Sequence, residues 1–531
     1  LSVGACSTGA TPAGQQAGPA SSSASATPQD GGTLSVALAA DTTVIDPQLT
    51  GSSTTAILAR QLVDSLVGQA EDMSFTPWLA RSWDINGNHT QYTFHLRDGV
   101  TFSDGTALDA AAVKANFDRI LDPAVNSTYA RSLLGPVRAV TVVDPRTVRI
   151  SYDKPFSTLL QGLSLPYTGI ESPTFLASGH ASPTAVVGSG PFVLTSFVPG
   201  SKTTMTKRDG YAWGPGFARN AGASHLDAIE FLILPEASVR LGALRSGQVQ
   251  AIEAVPPTDF QAVDSDPKLQ VVSYDNPGVT YSLFLNTRRP PFNDVRVRRA
   301  FQSSFDTAAV AKAAYLGTMK PADNILAPST PYYDKAVAGM WGFDTKRANT
   351  LLDEAGWTKR DSAGYRVRDG HRLTVVYPFD KSSNQAEDLT LAQAIQAEVK
   401  GVGFDLKLDL VDPGTLIERM GAGNYDIFSF FFVRSDPDIL RTVFHSDYAP
   451  PNGADVTFMT AMDDELTAAV GAPDQQRAQL YRKVQETVIR DAYAVPLYVK
   501  AFQLGISRDL HGVTWATNAK PQFYDAWLAR G

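Results

Sequence analysis

The stretch Tyr92-Thr93-Phe94-His95-Leu96-Arg97-Asp98-Gly99-Val100-Thr101-Phe102-Ser103-Asp104-Gly105 decides the fold more than any other part of the chain. Apolar residues alternate at 92, 94 and 96, and again at 100 and 102, and each run ends in Asp-Gly. This spacing predicts strand, tight turn, strand and turn. Upstream, Leu34, Val36 and Leu38 alternate in the same way and predict a half-buried strand. A loop over 40–47 follows. Ile57, Leu58, Leu62, Val63 and Leu66 then recur at helical spacing and predict a helix over 55–67. Downstream, Asn293-Asp294 precedes Val295, Val297, Ala300 and Phe301 as a cap precedes a helix. A helix pattern over 389–399 leads into a strand pattern over 404–410. Strand patterns and helix patterns thus both occur along the chain.

At 531 residues the chain exceeds what one core usually organises, so two or more domains are expected. The 54 acidic and 46 basic residues leave a formal charge of -8 with no long run of either sign, which gives nucleic acid no footing. No stretch approaches the ~20 consecutive apolar residues of a membrane span. The only cysteine, Cys6, excludes an intramolecular disulfide and a multi-cysteine metal site. It closes the run Leu1-Ser2-Val3-Gly4-Ala5-Cys6, which resembles a bacterial lipobox, and a Ser-, Ala-, Gly- and Pro-rich tract to about Asp30 follows as a flexible tether. A diacylglyceryl group on the sulfur would supply the two acyl chains that stable anchoring needs.

The segment over 77–117, with "LARSW", "YTFHLRDGVTFSDGT" and "AAVKANFDRI", resembles the signature region of the family 5 bacterial extracellular solute-binding proteins. Further landmarks follow in that family's order: "VGSGPFVLTSF" from Val187, the run from Leu226, "YSLFLNTRRPPFNDVRVRRAFQSSFD" from Tyr281, "FDTKRANTLLDEAGW" from Phe343, and Val495-Pro496-Leu497-Tyr498. The resemblance implies a two-lobed α/β periplasmic-binding-protein-like fold (class II, cluster C) with an extra subdomain on the first lobe. Mapped here, 1–32 is lipobox remnant and tether. The first lobe takes 33–70, 186–277 and 495–531, the extra subdomain 71–185, and the second lobe 278–494. Within these landmarks, the glycines of Gly188-Ser189-Gly190-Pro191-Phe192 are expected to permit backbone conformations closed to other residues.

The same resemblance places a ligand in the interlobe cleft between three walls. The loop after the first strand brings Asp41, Thr42 and Thr43; the strand entering the second lobe brings Tyr281; a further segment brings Phe430, Phe431, Phe432, Val433, Arg434 and Asp436. Alternate residues of a strand face opposite ways, so either Phe430 with Phe432, or Phe431 alone, can face the cleft, and a buried strand explains the three aromatics equally well. Peptide-binding members commonly carry an aspartate where Val433 stands, and dipeptide binders an arginine near Leu389 and Thr390. A buried charge left without its partner costs about 3–5 kcal/mol, which disfavours zwitterionic dipeptides held in the usual mode. Arg434 leaves room for an anionic or carbonyl-rich ligand.

No nucleophile elbow, His-Glu-x-x-His motif, phosphate loop or EF-hand loop occurs, and the seven histidines show no helical pairing. Catalytic residues, metal ligands and cofactors are therefore not expected, and the chain reads as a binding protein rather than an enzyme. Its expected partners are a small-molecule or oligopeptide ligand, the permease subunits of an ABC importer and, through Cys6, the outer face of a membrane. The protein itself is expected to be a monomer. The alternatives are the same fold binding an oligosaccharide, a nickel complex or a siderophore-like solute, a ligand sensor, or a secreted hydrolase.

Overall fold

A computed structural model describes residues 27–178, 182–380, 385–450 and 453–529. Cys6 and its lipobox lie outside the described residues. Among those residues two sheets carry the architecture. The first has seven strands in the order Leu269–Asp275, Ala501–Ser507, Ala251–Glu253, Thr33–Leu38, Ala228–Ile233, Lys202–Lys207 and Phe192–Val198. Thr33–Leu38 lies parallel to both of its neighbours, and the outer pairings are antiparallel. Its strand residues alternate as their spacing predicts. Leu34, Val36 and Leu38 enter one core and Ala37 the other, so the sheet is covered on both faces.

The second sheet orders Lys320–Pro321, Ala494–Val499, Gly278–Leu285 and Ile427–Val433. All eight residues of Gly278–Leu285 are buried, with Tyr281, Leu283 and Leu285 on one side and Phe284 on the other. Val495-Pro496-Leu497-Tyr498 belongs to this sheet, pairing with Gly278–Leu285. The chain therefore returns to the first sheet at Lys500, later than the expected 495. Both expected helices of this half form: Val295–Gln302 is capped by the Asp294 side chain, and Ala386–Val402 exceeds 389–399 at both ends. The strand expected over 404–410 is Asp405–Val411.

The first half of the Tyr92 to Gly105 stretch lies in a third, four-stranded antiparallel sheet of Ala80–Ile85, Gln91–Leu96, Thr147–Tyr152 and Val137–Asp144. Gly99 and Gly105 take left-handed φ of 75° and 85°, as turn glycines. The second predicted strand shrinks to a single bridge between Thr101 and Ala107.

Two further expectations need correction. The helix over 55–67 stops at Ala59, because the carbonyls of Gln61 and Leu62 accept the amides of Phe192 and Gly190 instead of continuing a helical ladder. Leu62, Val63 and Leu66 stay buried in a tight coil. The landmark glycines Gly188 and Gly190 also act differently from expectation, for neither is left-handed. A Cβ on Gly188 would stand 2.1 Å from Leu62 O and one on Gly190 2.5 Å from Leu62 C, so the requirement is close approach of two backbones.

Candidate functional site

The two main sheets meet at two crossings, 276–277 and Lys500, which hydrogen-bond to each other through Asn276 N–H and the Lys500 carbonyl (2.8 Å). Side chains from both sides close around them. Ser435 donates to Gln69 Oε1 (2.9 Å), which also accepts from Thr517 (2.8 Å). Gln503 donates to the Thr318 carbonyl (3.0 Å), and Lys320 pairs with Asp275 (2.6 Å).

Beside the crossing at Lys500 lies a cavity of about 250 Å³ lined by residues of both halves, among them Glu253, Phe502, Tyr315, Gln385, Glu387 and Lys500. The first-sheet side carries an aromatic group: Tyr274 stacks on Trp515 (5.7 Å, 24°), and Trp515 meets Phe502 edge-on. Beneath the opposite side, buried Asp388 accepts the hydroxyls of Tyr315 (2.6 Å) and Tyr498 (2.7 Å). Tyr281 and Tyr377 both bond Ser429 Oγ nearby. This satisfied polar network fixes the cavity floor.

Of the residues expected to meet ligand, the structure brings only some to an open face. In the Ile427–Val433 strand, Phe430 stacks on Phe284 (4.0 Å) and Phe432 packs edge-on against Phe430, both toward one core. Phe431 faces the other way, its ring 5.7 Å from Lys500 Nζ. Of the alternation's two options, Phe431 is thus the side chain aimed at the crossing. Val433 pairs with Gly278. Arg434 follows with its amide on the Pro277 carbonyl (3.1 Å); its guanidinium is half-buried and meets no ion-pair or hydrogen-bond partner among the described residues.

Tyr281 is only 3 % exposed and belongs to the core beneath the cleft, stacked on Tyr498. Asp436 is committed to Arg477 (2.7 Å) and to the Asp438 amide. Thr42 is 7 % exposed and is tied inward to Val44 and Thr55. Asp41 accepts the Gly200 amide, while Thr43 is exposed. Leu389 packs against the second-lobe core, and Thr390 bonds its own helix.

Sequence reasoning overlooked the cleft's lysines. Burial lowers the pKa of Lys500, with Asp388 and then Glu387 opposing the shift. Lys520 is pushed down to about 8 by burial, while Glu253 opposes and Lys500 adds to the shift. The one sequence hint was Trp515 and Lys520 at the two ends of Trp515-Ala516-Thr517-Asn518-Ala519-Lys520. Among the described residues, no cluster of His, Cys, Asp or Glu could hold a metal ion, and no helix is long and apolar enough to cross a membrane.

This geometry, two α/β lobes joined by two crossings over a shared cleft, agrees with comparison to known proteins. Residues 74–448 match the bacterial extracellular solute-binding proteins, family 5, over their middle region. The chain belongs to this family. A relative, the glutathione-binding protein GsiB of Shigella flexneri, is 26 % identical over 505 residues, covering 93 % of this chain and 94 % of that protein. The solved structure of NikA from Brucella suis with Fe(III)-EDTA superposes with a TM-score of 0.83 at 26 % identity, over 94 % of this chain and all of that one. DppA from Helicobacter pylori with the peptide STSA shares the fold at 24 % identity and a TM-score of 0.76, over 94 % of this chain and 99 % of that one. The sequence resemblance is thereby borne out, and so is the two-lobed α/β fold expected from it.

Proposed function

We propose that this protein is the extracytoplasmic substrate-binding component of an ABC importer, taking a peptide or peptide-like solute into the interlobe cleft and handing it to a membrane permease. It acts by binding and closure, without catalysis. In this reading the first lobe comprises 33–70, 186–277 and the tail, and the second lobe comprises 278–494 together with the Ala494–Val499 strand, whose pairing with Gly278–Leu285 supports that assignment. The residues 71–185 form the extra subdomain. Cys6 carries the lipid that tethers the protein to the outer face of the membrane, so Cys6→Ser should move it from the membrane fraction to the soluble fraction.

One observation carries the ligand reading: Arg434, at the cleft and flanking the 276–277 crossing, has a guanidinium left open among the described residues. A planar fork of donors recognises carboxylate or carbonyl oxygens. Together with Val433 at the place where peptide binders commonly carry an aspartate, this favours an acidic peptide-like solute over a zwitterionic dipeptide. Native mass spectrometry of the purified protein should show a co-purified solute of peptide mass. Calorimetry with glutathione should show binding that weakens in Arg434→Ala. Turnover of such a solute by the protein would instead overturn the reading.

A further inference from the structure

Two cleft lysines lack the partner that a partly buried cation ordinarily has. Lys500 fills the second crossing, and Lys520 follows the short strand Thr514–Trp515 and precedes Pro521–Gln522. Both are half-buried, and neither makes an ion pair with a described carboxylate. Lys500 Nζ donates to Gln385 Oε1 (2.5 Å) and otherwise faces the rings of Phe431, Tyr498 and Tyr315 at 5.7 Å, 5.9 Å and 6.0 Å. Lys520 Nζ lies 4.6 Å from the centre of the Phe502 ring.

Two of the three acids nearby are already engaged, and the third, Glu387, lines the cavity without an ion pair to either lysine among the described residues. Glu253 accepts the Ala39 amide (3.0 Å), and Asp388 holds two tyrosine hydroxyls. Elsewhere the protein pairs lysines for which pairing gains far less. Lys320, 72 % exposed, still finds Asp275, although an exposed pair contributes little. The unpaired lysines sit where a partner would count most, since a charge removed from water without a counter-ion is costly. Lys520 faces Phe502, which lines the cavity together with Lys500, so the two like charges oppose each other there. Arg434 and Lys500 flank opposite sides of the same crossing, about 10 Å apart along the backbone across two interstrand spacings.

We propose that Lys500 and Lys520 form an anion subsite, so that the solute carries two separated anionic groups, one for this lysine pair and one for Arg434. The inference rests on the solute-binding reading and narrows its substrate to acidic peptides or small polycarboxylates. A carboxylate placed between the lysines relieves their repulsion, satisfies both donors and lies against the apolar rings of Phe431 and Phe502. A neutral group there leaves the two cations facing each other.

Calorimetry on the full chain tests this with four probes: glutathione, which has two carboxylates; its glycine monoethyl ester, which has one; citrate, a polycarboxylate without a peptide; and Ala-Ala-Ala. Glutathione or citrate should bind the unaltered protein, and which of them binds tells peptide from non-peptide. Affinity for the bound probe should fall at least about tenfold in Lys520→Met and in Lys500→Gln, and Lys520→Arg should restore most of it. If glutathione is the probe bound, its ester should bind the unaltered protein about tenfold more weakly and lose little further in one of Lys520→Met and Arg434→Ala, whichever removes the site that held the glycine carboxylate. Circular dichroism and melting of each variant confirm folding, and Lys520, in a turn, serves if the crossing residue does not tolerate change. Affinities within twofold across the variants overturn the proposal. So does binding of Ala-Ala-Ala without either acidic probe, a result that leaves the solute-binding reading standing. Binding of none of the four overturns the subsite, and the further absence of any co-purified solute by mass spectrometry removes the broader reading too.

Discussion

Replacing Asp64 by asparagine should change how stability depends on pH more than it changes the fold. Asp64 is wholly buried beside the Gly188-Ser189-Gly190 backbone. Its carboxylate accepts Ser189 Oγ (2.9 Å), Trp213 Nε1 (2.9 Å) and Tyr211 OH (3.1 Å). Burial nevertheless dominates and raises the carboxyl from 3.8 to about 6, against those hydrogen bonds and the charge of Arg60. A folded pKa above the unfolded one means that the folded state keeps the proton longer. Its contribution is complete well below the unfolded pKa and is lost as pH rises through 6. At 1.36 kcal/mol per pH unit the loss is about 3 kcal/mol. The amide introduced by Asp64→Asn has no such titration, while Asp455, raised by burial to about 6, and Glu171, raised by burial and Asp46, titrate in both proteins and cancel. The stability of the unaltered protein minus that of Asp64→Asn should therefore fall by about 2 kcal/mol between pH 4 and pH 7, the remainder of the loss lying below pH 4. Urea unfolding of both proteins at pH 4, 5, 6 and 7, followed by tryptophan fluorescence, measures it, with Trp213 as a reporter bonded to the site. A difference constant to within about 0.5 kcal/mol, or one that grows with pH, refutes the reasoning.

Other expectations follow from single contacts. Arg434→Ala should weaken glutathione binding about 10- to 100-fold, the loss of about 1.5–3 kcal/mol of charge-assisted hydrogen bonding; unchanged affinity in calorimetry would remove Arg434 from the cleft. Gly188→Ala puts a methyl group 2.1 Å from the Leu62 carbonyl and should cost about 1–3 kcal/mol, read as a lower melting midpoint, whereas an unchanged midpoint would show that the two backbones separate freely. Ser435→Ala removes a hydrogen bond between the halves, worth about 1 kcal/mol. It should shift the protein toward an open form, detected as a larger radius of gyration by X-ray scattering without ligand; identical scattering curves would show that Ser435 does not hold the lobes together.

The scaffold was legible in the residue pattern alone. Period-2 alternation placed Thr33–Leu38 and Gln91–Leu96, Asp294 announced Val295–Gln302, and the ordered landmarks were sufficient to expect two lobes of α/β structure. The pattern also limited the cleft-facing aromatics to two options, because alternation is a property of the strand itself. Choosing between those options took the folded chain, since Phe430 and Phe431 are chemically the same and differ in which core their neighbours build. Folding likewise decided which charges are available. Asp436 and Arg434 stand two positions apart, yet one is neutralised by Arg477, distant in sequence, and the other is left open among the described residues. Lys500 and Lys520 drew no notice in the sequence because a lysine acquires significance from the counter-ion it lacks, and that absence exists only once the chain has brought its distant acids and aromatic rings into place.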